Sequence, residues 1–465
     1  MGAMIHFDMD GWFARRDGDF TLEGVMRVAE AAARTWLLQS RGTRAYVAYD
    51  TREGAREAAE VAAAAIAGQG IEVILSDRYA PSPALSRAVL RDESACGGLM
   101  VTGGHCPDDY LGIKLRIADG GVGAQEFFDA LEELMEPEPA CATGDYIEGD
   151  IVTPYLEGLG GLVDGRVISS ANLSVVCDAM YGSGRGYLPL VLGGLGVQAK
   201  EIHGVDDGCR ADLRPEAVEP WADDCEQAVE ACEAVAGFIV DGDASLLGVV
   251  DEDGNYVARD TVAALILGHL VVNRGLGGRV ACCAAASTAL RRTARALECR
   301  TAVRPLGFRS ICEELRAGGV VMGTEDRGGI CIPTHIYDRD AILACLLLCE
   351  LMAETGMTIK ALVSLLKRAV GSMSCGSRDL RLPAENVEML RAMLPGINPE
   401  VVAGRRPVSV SRVDGLRFEF EDESWVLLRP SRTEPLVRVY AEAGTVEMRD
   451  AMLDAAGDIA RLNPG

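Results

Sequence analysis

The sequence has few aromatic residues, little positive charge and no long hydrophobic run. Aromatic residues make up 5% of the 465 residues, and 45 Lys and Arg stand against 70 Asp and Glu, which gives a formal net charge of -25. A chain this acidic, without a basic run, repels a polyanion, so we exclude nucleic acid as a partner. The longest apolar stretch, from Ala341 to Leu348, is too short to cross a bilayer, and we predict no membrane partner.

The 15 cysteines show no pairing framework, and no CxxC motif occurs among them. Neither a disulfide scaffold nor a zinc site is therefore predicted. A signal peptide has a basic segment followed by an apolar one. The N-terminal residues do not show this pattern. We predict free, mostly buried thiols in a cytoplasmic protein. No pattern in the sequence predicts an oligomeric state.

Hydrophobic residues make up 49% of the chain, which is enough for several buried cores. Short apolar runs alternate with segments of helical period at 45–49, 52–67, 71–75, 82–90 and 98–101, and this alternation recurs from residue 173 and from residue 261. Such βαβ repeats predict mostly parallel sheets that are covered on both faces. Short strands at 408–413, 416–420, 425–428 and 436–440, followed by a helix at 445–462, predict an antiparallel module.

The predicted fold is α/β, with three βαβ-type domains of mostly parallel mixed sheets and a C-terminal α+β domain around a central cleft. We place the domains at 1–145, 146–252, 253–370 and 371–465. In such sheets, ligands bind where strands end, so the loops after the strands are the candidate sites.

Two of these loops carry groups for catalysis or metal binding. Thr102-Gly-Gly-His-Cys-Pro107 brings the backbone close to a ligand, and His105 and Lys114 are candidates to meet an anion. Asp241 and Asp243 flank a glycine and suit a hard divalent cation, with Ser245 as a weak third ligand. For the first loop, the structural alternative is a surface turn. For the second loop, it is a solvated acidic turn.

Two further loops carry groups for recognition. The loop 323–329 mixes charges with glycines, which suits the hydroxyl groups of a sugar, and a salt-bridged loop is its alternative. The loop 429–435 directs the donors of Arg429, Ser431 and Thr433 to one point, with Arg432 as another cation, and is a candidate phosphate nest or else a polar turn. The glycines of 181–187 do not fit a dinucleotide fingerprint, so NAD is not predicted.

These loops and their order resemble the α-D-phosphohexomutase family, which comprises phosphoglucomutase, phosphomannomutase and phosphoglucosamine mutase. Tyr49-Asp-Thr-Arg52 and Ala80-Pro-Ser-Pro83 are similar to first-domain signatures, and the loop 429–435 is nearly the family's phosphate loop. The resemblance covers nearly the whole chain. It implies a phosphoserine that donates its phosphoryl group to a sugar, with Mg²⁺ held by three aspartates and the phosphoserine.

The sequence departs from the family where the chemistry takes place. Gly104 stands at the serine position, and Cys106 stands at the asparagine that follows. Ser245 replaces the third metal aspartate, and Leu246 replaces the next arginine. The two remaining carboxylates make Mg²⁺ a weak or absent cofactor. The resemblance also implies substrate contacts that are retained or altered, namely those of Lys114, Arg309, Glu325, Arg327, Arg429, Ser431, Arg432 and Thr433.

Three hypotheses follow, and they leave open whether the chain is an enzyme. In the first, it binds a phosphosugar or a related phosphorylated metabolite without the phosphoserine cycle, or uses His105, Cys106 and Lys114 as acid–base groups. Cys106 is more readily interpreted as a packed thiol than as a nucleophile. In the second, it is an active mutase whose nucleophile is Thr102 or His105. In the third, it is an interaction protein with a vestigial cleft.

Overall fold

The computed structural model describes residues 5–7, 11–205, 213–431 and 434–461. Four sheets follow one another along this part of the chain, each with its own helices. In the first three sheets, parallel pairs form the centre and an antiparallel strand lies at or near one edge. In the fourth sheet, every pair is antiparallel. The predicted α/β fold with an α+β tail is therefore confirmed.

The first domain is built on a six-stranded sheet in the order β1-β5-β4-β2-β3-β6. All seven residues of β4 are buried, because helices cover both faces of the sheet. The alanine-rich α2 packs closely, and seven of its residues are buried. The strands are β1 Gly11–Arg15, β2 Arg44–Tyr49, β3 Glu72–Ser76, β4 Ala95–Val101, β5 Tyr110–Ile117 and β6 Ile147–Gly149, and the helices are α1 Leu22–Gln39, α2 Ala55–Gly68, α3 Ser82–Arg91 and α4 Gln125–Glu133.

The second domain has five strands in the order β11-β10-β9-β7-β8. Its central strand β9 is buried over its whole length and ends at Val240, directly before the two aspartates. The strands are β7 Ser174–Asp178, β8 Gln198–Ile202, β9 Ala236–Val240, β10 Leu247–Val250 and β11 Tyr256–Val257, and the helices are α5 Val152–Leu159, α6 Gly165–Ser170, α7 Tyr187–Gly194 and α8 Asp223–Cys232.

The third domain has four strands in the order β13-β12-β14-β15. Its strands are β12 Arg279–Cys283, β13 Thr301–Arg304, β14 Val320–Thr324 and β15 Ile330–Cys331, and its helices are α9 Arg259–Gly268, α10 Thr288–Ala296, α11 Phe308–Arg316, α12 Ala341–Thr355 and α13 Ile359–Val370. The first twelve residues of α12 are all buried, because this helix lies in a core shared with the second domain.

The fourth domain has five antiparallel strands in the order β16-β20-β19-β18-β17 and a hydrophobic core of its own. Its strands are β16 Ser374–Arg381, β17 Ser409–Ser411, β18 Leu416–Glu419, β19 Trp425–Pro430 and β20 Leu436–Ala443, and its helices are α14 Ala384–Met393 and α15 Val446–Ala460.

Three strands lie where the sequence predicts none or just outside the predicted domain bounds. No element is predicted at 374–381, yet β16 forms there, because its backbone pairs with β20 over eight residues. The strands β6 and β11 lie just beyond the predicted domain ends at 145 and 252, and each completes the sheet that precedes it. Among the described residues, no single helix passes a length and hydropathy test for a membrane span, and only α12 and α13 together do, as a pair bent by 82°.

Candidate functional site

The loop that follows β4 is held in place by one buried arginine. The Arg52 guanidinium donates hydrogen bonds to the carbonyls of Gly104 and Cys106, both at 2.7 Å, and to that of Tyr110 at 3.2 Å. It also bonds to the Pro107 carbonyl. Because a single planar group satisfies four carbonyls, the loop has a defined shape that does not depend on a bound ligand.

Thr102 is part of this scaffold. Its hydroxyl donates to Asp50 Oδ2 at 2.7 Å and accepts the Gly104 amide at 2.8 Å, and the residue is fully buried. The Gly103 amide also donates to Asp50, at 3.1 Å. Since the hydroxyl proton of Thr102 is already bound to a carboxylate, its oxygen is not oriented to attack a substrate. The geometry therefore gives no support to Thr102 as a displaced nucleophile.

Gly104 has a left-handed backbone, with φ of 51°, and opens toward charged groups. A Cβ atom added there would lie 3.5 Å from Lys114 Nζ and 4.0 Å from Asp243 Oδ1, which is ordinary contact. A Cβ atom at Gly103, in contrast, would lie 2.4 Å from Arg52 Cζ. A side chain at position 104 would thus point at the lysine and aspartate, but the glycine supplies no hydroxyl.

Lys114 and Asp243 form a buried ion pair across the first two domains. Lys114 Nζ lies 2.8 Å from Asp243 Oδ2, and the two side chains are 4% and 0% exposed. The hydroxyls of Ser82 and Ser245 donate to the same carboxylate, at 2.5 Å and 2.8 Å. Burial alone would raise the pKa of Asp243, but Lys114 and the Ser82 hydroxyl hold it below the ordinary value. Asp243 is therefore ionised and fully bonded.

Asp241 lies beside this pair, and its pKa is shifted in the opposite direction. Burial raises its pKa well above the ordinary value, and the neighbouring charge of Asp243 adds to the effect. Its Oδ1 accepts the backbone amides of Ser245 at 2.7 Å and Leu246 at 2.8 Å. The two aspartates thus share one site, in which Lys114 compensates the charge of Asp243.

The donor set does not fit a resident Mg²⁺. This ion takes near-octahedral oxygen coordination and gives up water reluctantly. Both oxygens of Asp243 are engaged by Lys114, Ser82 and Ser245, and one oxygen of Asp241 accepts two amides. Ser245 contributes a neutral hydroxyl where a third carboxylate would be needed. An ammonium group thus occupies the charge-compensating role, so we derive no chemistry through a metal.

His105 and Cys106 lie at the meeting point of three domains. An Arg327 Nη1 group contacts His105 Nε2, and Arg214 Nε donates to the His105 carbonyl at 3.3 Å. Burial raises the pKa of the Cys106 thiol, and nearby cations, Arg52 first among them, offset only part of this effect. The thiol is therefore protonated at neutral pH, as expected of a packed residue and not of a nucleophile.

The loop after β14 joins three domains through side-chain and backbone contacts. Glu325 is buried and accepts from Arg339 Nη1 at 2.7 Å. Asp326 accepts from the Tyr440 hydroxyl at 3.2 Å, which links this loop to the fourth domain. A backbone bridge between Gly329 and Leu246 links it to the aspartate loop. The residues predicted for sugar recognition thus lie next to those predicted for a metal.

The phosphate-loop residues within the described chain lie at the end of β19. Arg429 Nε donates to Asp414 Oδ2 at 2.7 Å, and the Ser431 hydroxyl accepts the Glu434 amide at 3.2 Å. Their predicted partners Arg432 and Thr433 lie outside the described residues.

Arg309 has a position that the sequence does not suggest. Its guanidinium carbon lies 4.1 Å from the ring centroid of Phe128, and the same group contacts Gln125. Both partners belong to α4, so these contacts join the third domain to the first. The assignment of Arg309 to substrate binding stays a prediction.

Several residues of the site are not among the predicted site residues, although two of the motifs that resemble family signatures contain three of them. Asp50 and Arg52 follow β2 directly, and the same rule that selected the other loops would have selected them. Ser82 begins α3 and reaches Asp243 across 161 positions of chain. Arg214 lies in an irregular segment that no pattern of apolar residues marks.

Comparisons with known proteins agree with this architecture. Four models of the phosphoglucomutase/phosphomannomutase family match in order, with alpha/beta/alpha domain I at 4–140, domain II at 153–254, domain III at 258–369 and the C-terminal domain at 384–455. A phosphoglucosamine mutase of Salinispora arenicola is 28% identical over 98% of both chains.

Solved structures share the whole fold. A putative phosphomannomutase from Thermus thermophilus superposes with a TM-score of 0.86 at 29% identity, covering 99% of both chains. An N-acetylphosphoglucosamine mutase of Aspergillus fumigatus, solved in complex with GlcNAc-6P and magnesium, has a TM-score of 0.60 at 15% identity, covering 99% of this chain and 95% of that one. With all four domains matched in order, the chain belongs to the phosphoglucomutase/phosphomannomutase family.

Proposed function

We propose that this protein binds a phosphosugar in the cleft between its domains and does not run the phosphoserine mutase cycle. The observation that carries the proposal is Gly104, which places no hydroxyl beside Lys114 and Asp243. The binding side keeps its groups: Glu325 is held by Arg339, and Arg429 lies at the end of β19. A glycine cannot carry a phosphoryl group, so a bound ligand is held, or is altered by other groups of the cleft.

Metal-free binding is part of this proposal. Because Lys114 already compensates the charge of Asp243, the ligand needs no Mg²⁺ to remain in the cleft. The family relatives support a phosphorylated sugar as the ligand class, since one is named for phosphoglucosamine and another was solved with GlcNAc-6P. These two names differ in the sugar, so the proposal is limited to the class.

A second candidate is an active phosphohexomutase with a different phosphoryl carrier. The names of the relatives favour it, because they are mutases. Among the groups of the loop, His105 is the candidate carrier, and its Nε2 already faces Arg327. A phosphoryl group on this nitrogen would have to displace that contact.

Ligand binding is tested by thermal unfolding of the full chain with glucose 6-phosphate, in Mg²⁺ and separately in EDTA. We expect a stabilisation of about 2.7 kcal/mol at a ligand concentration 100 times Kd, equal in both buffers. Arg429→Ala should remove the shift, because a phosphate loses a charge-assisted donor. Arg406→Ala, which changes an exposed arginine of the same domain, should keep it.

The same experiment separates the alternatives. Asp414→Asn keeps the Arg429 cation but weakens its anchor, so it should retain most of the shift. No shift with any sugar phosphate would contradict the proposal and favour the interaction protein with a vestigial cleft. A shift that requires Mg²⁺ would contradict metal-free binding and leave the binding of a phosphosugar standing.

A further inference from the structure

A cavity of about 720 Å³ lies between the third and fourth domains. One wall includes α10 and the segment after it, and the other includes β18 and the turn that follows. Of the described residues that line this cavity, none belongs to the loops 102–107, 241–246, 323–329 or 429–435. The cavity is therefore separate from the proposed phosphosugar site.

The wall formed by α10 is cationic, although the whole chain has a net charge of -25. Arg291 and Arg295 of this helix line the cavity, and Arg300 joins them from the segment after it. Residues four positions apart lie on one face of a helix, with Cβ atoms about 5–6 Å apart. The sequence of α10 contains no acidic residue, so the carboxylates that pair with its arginines come from elsewhere.

Glu423 of the fourth domain is shared between two arginines of α10. It accepts hydrogen bonds from Arg295 Nη1 at 2.7 Å and from Arg292 Nε. Burial alone would raise the pKa of Glu423, but the bonds from Arg292 and Arg295 hold it below the ordinary value. The carboxylate is therefore ionised, and its one negative charge lies beside two guanidinium groups.

Glu419 is shared in the same way. It accepts from Arg291 Nη1 at 2.6 Å and from Arg417 Nε at 3.1 Å. Burial, followed by the charge of Arg291, lowers the pKa of the Arg417 guanidinium to about 10, so this group stays charged at neutral pH. Its buried Nη2 has no hydrogen-bond partner within the described part of the chain. The four arginines thus carry more charge than the two shared glutamates compensate.

We propose that this cavity binds a small anion with a diphosphate group, held by Arg291, Arg295 and Arg300. Guanidinium groups donate charge-assisted, often bidentate hydrogen bonds to phosphate oxygens, and arginines one helical turn apart can each take one of two linked phosphates. Among the described lining residues, the aromatic one is Phe420, which is packed in the core of the fourth domain and offers no exposed ring to a base. The recognised group is therefore the diphosphate, free or as part of a nucleotide.

The test is calorimetric titration of the full chain in EDTA with pyrophosphate, ADP and orthophosphate at one ionic strength, with excess glucose 6-phosphate present. We expect pyrophosphate to bind at least about tenfold more tightly than orthophosphate. Similar affinities for pyrophosphate and ADP would show that the diphosphate group suffices, and tighter binding of ADP would identify a nucleotide as the ligand. Binding of ADP alone, or equal binding of orthophosphate and pyrophosphate, would overturn the assignment.

Three variants locate the site. Arg295→Ser and Arg300→Ser should each weaken pyrophosphate binding about tenfold, because each removes a charge-assisted donor. Both arginines are exposed, so the fold should remain intact. Glu421→Gln neutralises an exposed carboxylate of the cavity wall and should tighten pyrophosphate binding about threefold. A cluster that only joins the two domains by ion pairs would not produce this gain.

Two controls separate this cavity from the cleft. Arg166→Ser, in an exposed arginine of α6, should leave pyrophosphate binding unchanged. Arg429→Ala should also leave it unchanged while removing the binding of glucose 6-phosphate. Pyrophosphate binding that is lost in Arg429→Ala and kept in Arg295→Ser would place the anion in the cleft and overturn this inference. Glucose 6-phosphate binding without any pyrophosphate binding would overturn this inference and leave the proposed function standing.

Discussion

Lys114→Met is expected to destabilise the protein by about 3 kcal/mol, because removing one member of a buried ion pair leaves the other charge uncompensated. Asp243 is fully buried and has Lys114 as its only cationic partner at hydrogen-bond distance among the described contacts. Urea unfolding of the full chain measures the loss, as a shift of the transition that involves the first two domains.

The double variant Lys114→Met/Asp243→Asn should recover much of this loss, since it removes both charges together. Lys360→Met is the matched control, because Lys360 pairs with Asp253 at the surface, where the side chains are 54% and 49% exposed, and little change is expected. If Lys114→Met were as mild as the control, Asp243 would not be an ionised, lysine-compensated group, and the argument against a resident metal would fail.

Restoring the family residues at the chemical centre is expected to raise mutase activity by at least about 100-fold over the unmodified chain, since properly placed electrostatic groups typically contribute such factors. The variant combines Gly104→Ser, Cys106→Asn, Ser245→Asp and Leu246→Arg. The hydroxyl at position 104 would face Lys114 and Asp243, and the new carboxylate would complete a three-aspartate site for Mg²⁺. Conversion of glucose 1-phosphate with a 1,6-bisphosphate primer and Mg²⁺ is the measurement.

The matched control carries the same three other changes with Gly104→Ala in place of Gly104→Ser. It fills the same space and has the same backbone strain at a positive φ, but has no hydroxyl. Activity in this control equal to that of the serine variant would show that another group carries the phosphoryl, as the second candidate function requires.

Most of the fold follows from local patterns in the sequence. The strand predicted at 45–49 extends over Arg44–Tyr49, and the helix predicted at 82–90 extends over Ser82–Arg91, because buried apolar runs and amphipathic segments specify these elements directly. The sequence does not predict β16, because its half-buried and exposed residues form no apolar face. Its backbone pairing with β20 holds this segment as a strand.

The site was predictable as a set of loops but not as a set of partners. The rule of strand ends selects Gly104, Asp241, Glu325 and Arg429, and the structure places each of these residues at or just after the end of a strand. The pairing of Lys114 with Asp243 joins residues 129 positions apart in different domains, and no spacing in the sequence encodes it. The same holds for Arg327 with His105, which only the packing of the first domain against the third brings together.

We expect the unmodified protein to hold a phosphosugar and to form no phosphoenzyme. The most direct measurement is intact-mass spectrometry of the full chain after incubation with glucose 1,6-bisphosphate and Mg²⁺, combined with ³¹P NMR of the glucose 1-phosphate reaction. We predict that the protein mass stays unmodified. Conversion to glucose 6-phosphate should be no faster than in the control variant that combines Gly104→Ala with the three other changes. A protein heavier by one phosphoryl group, together with sustained conversion, would contradict the proposed function.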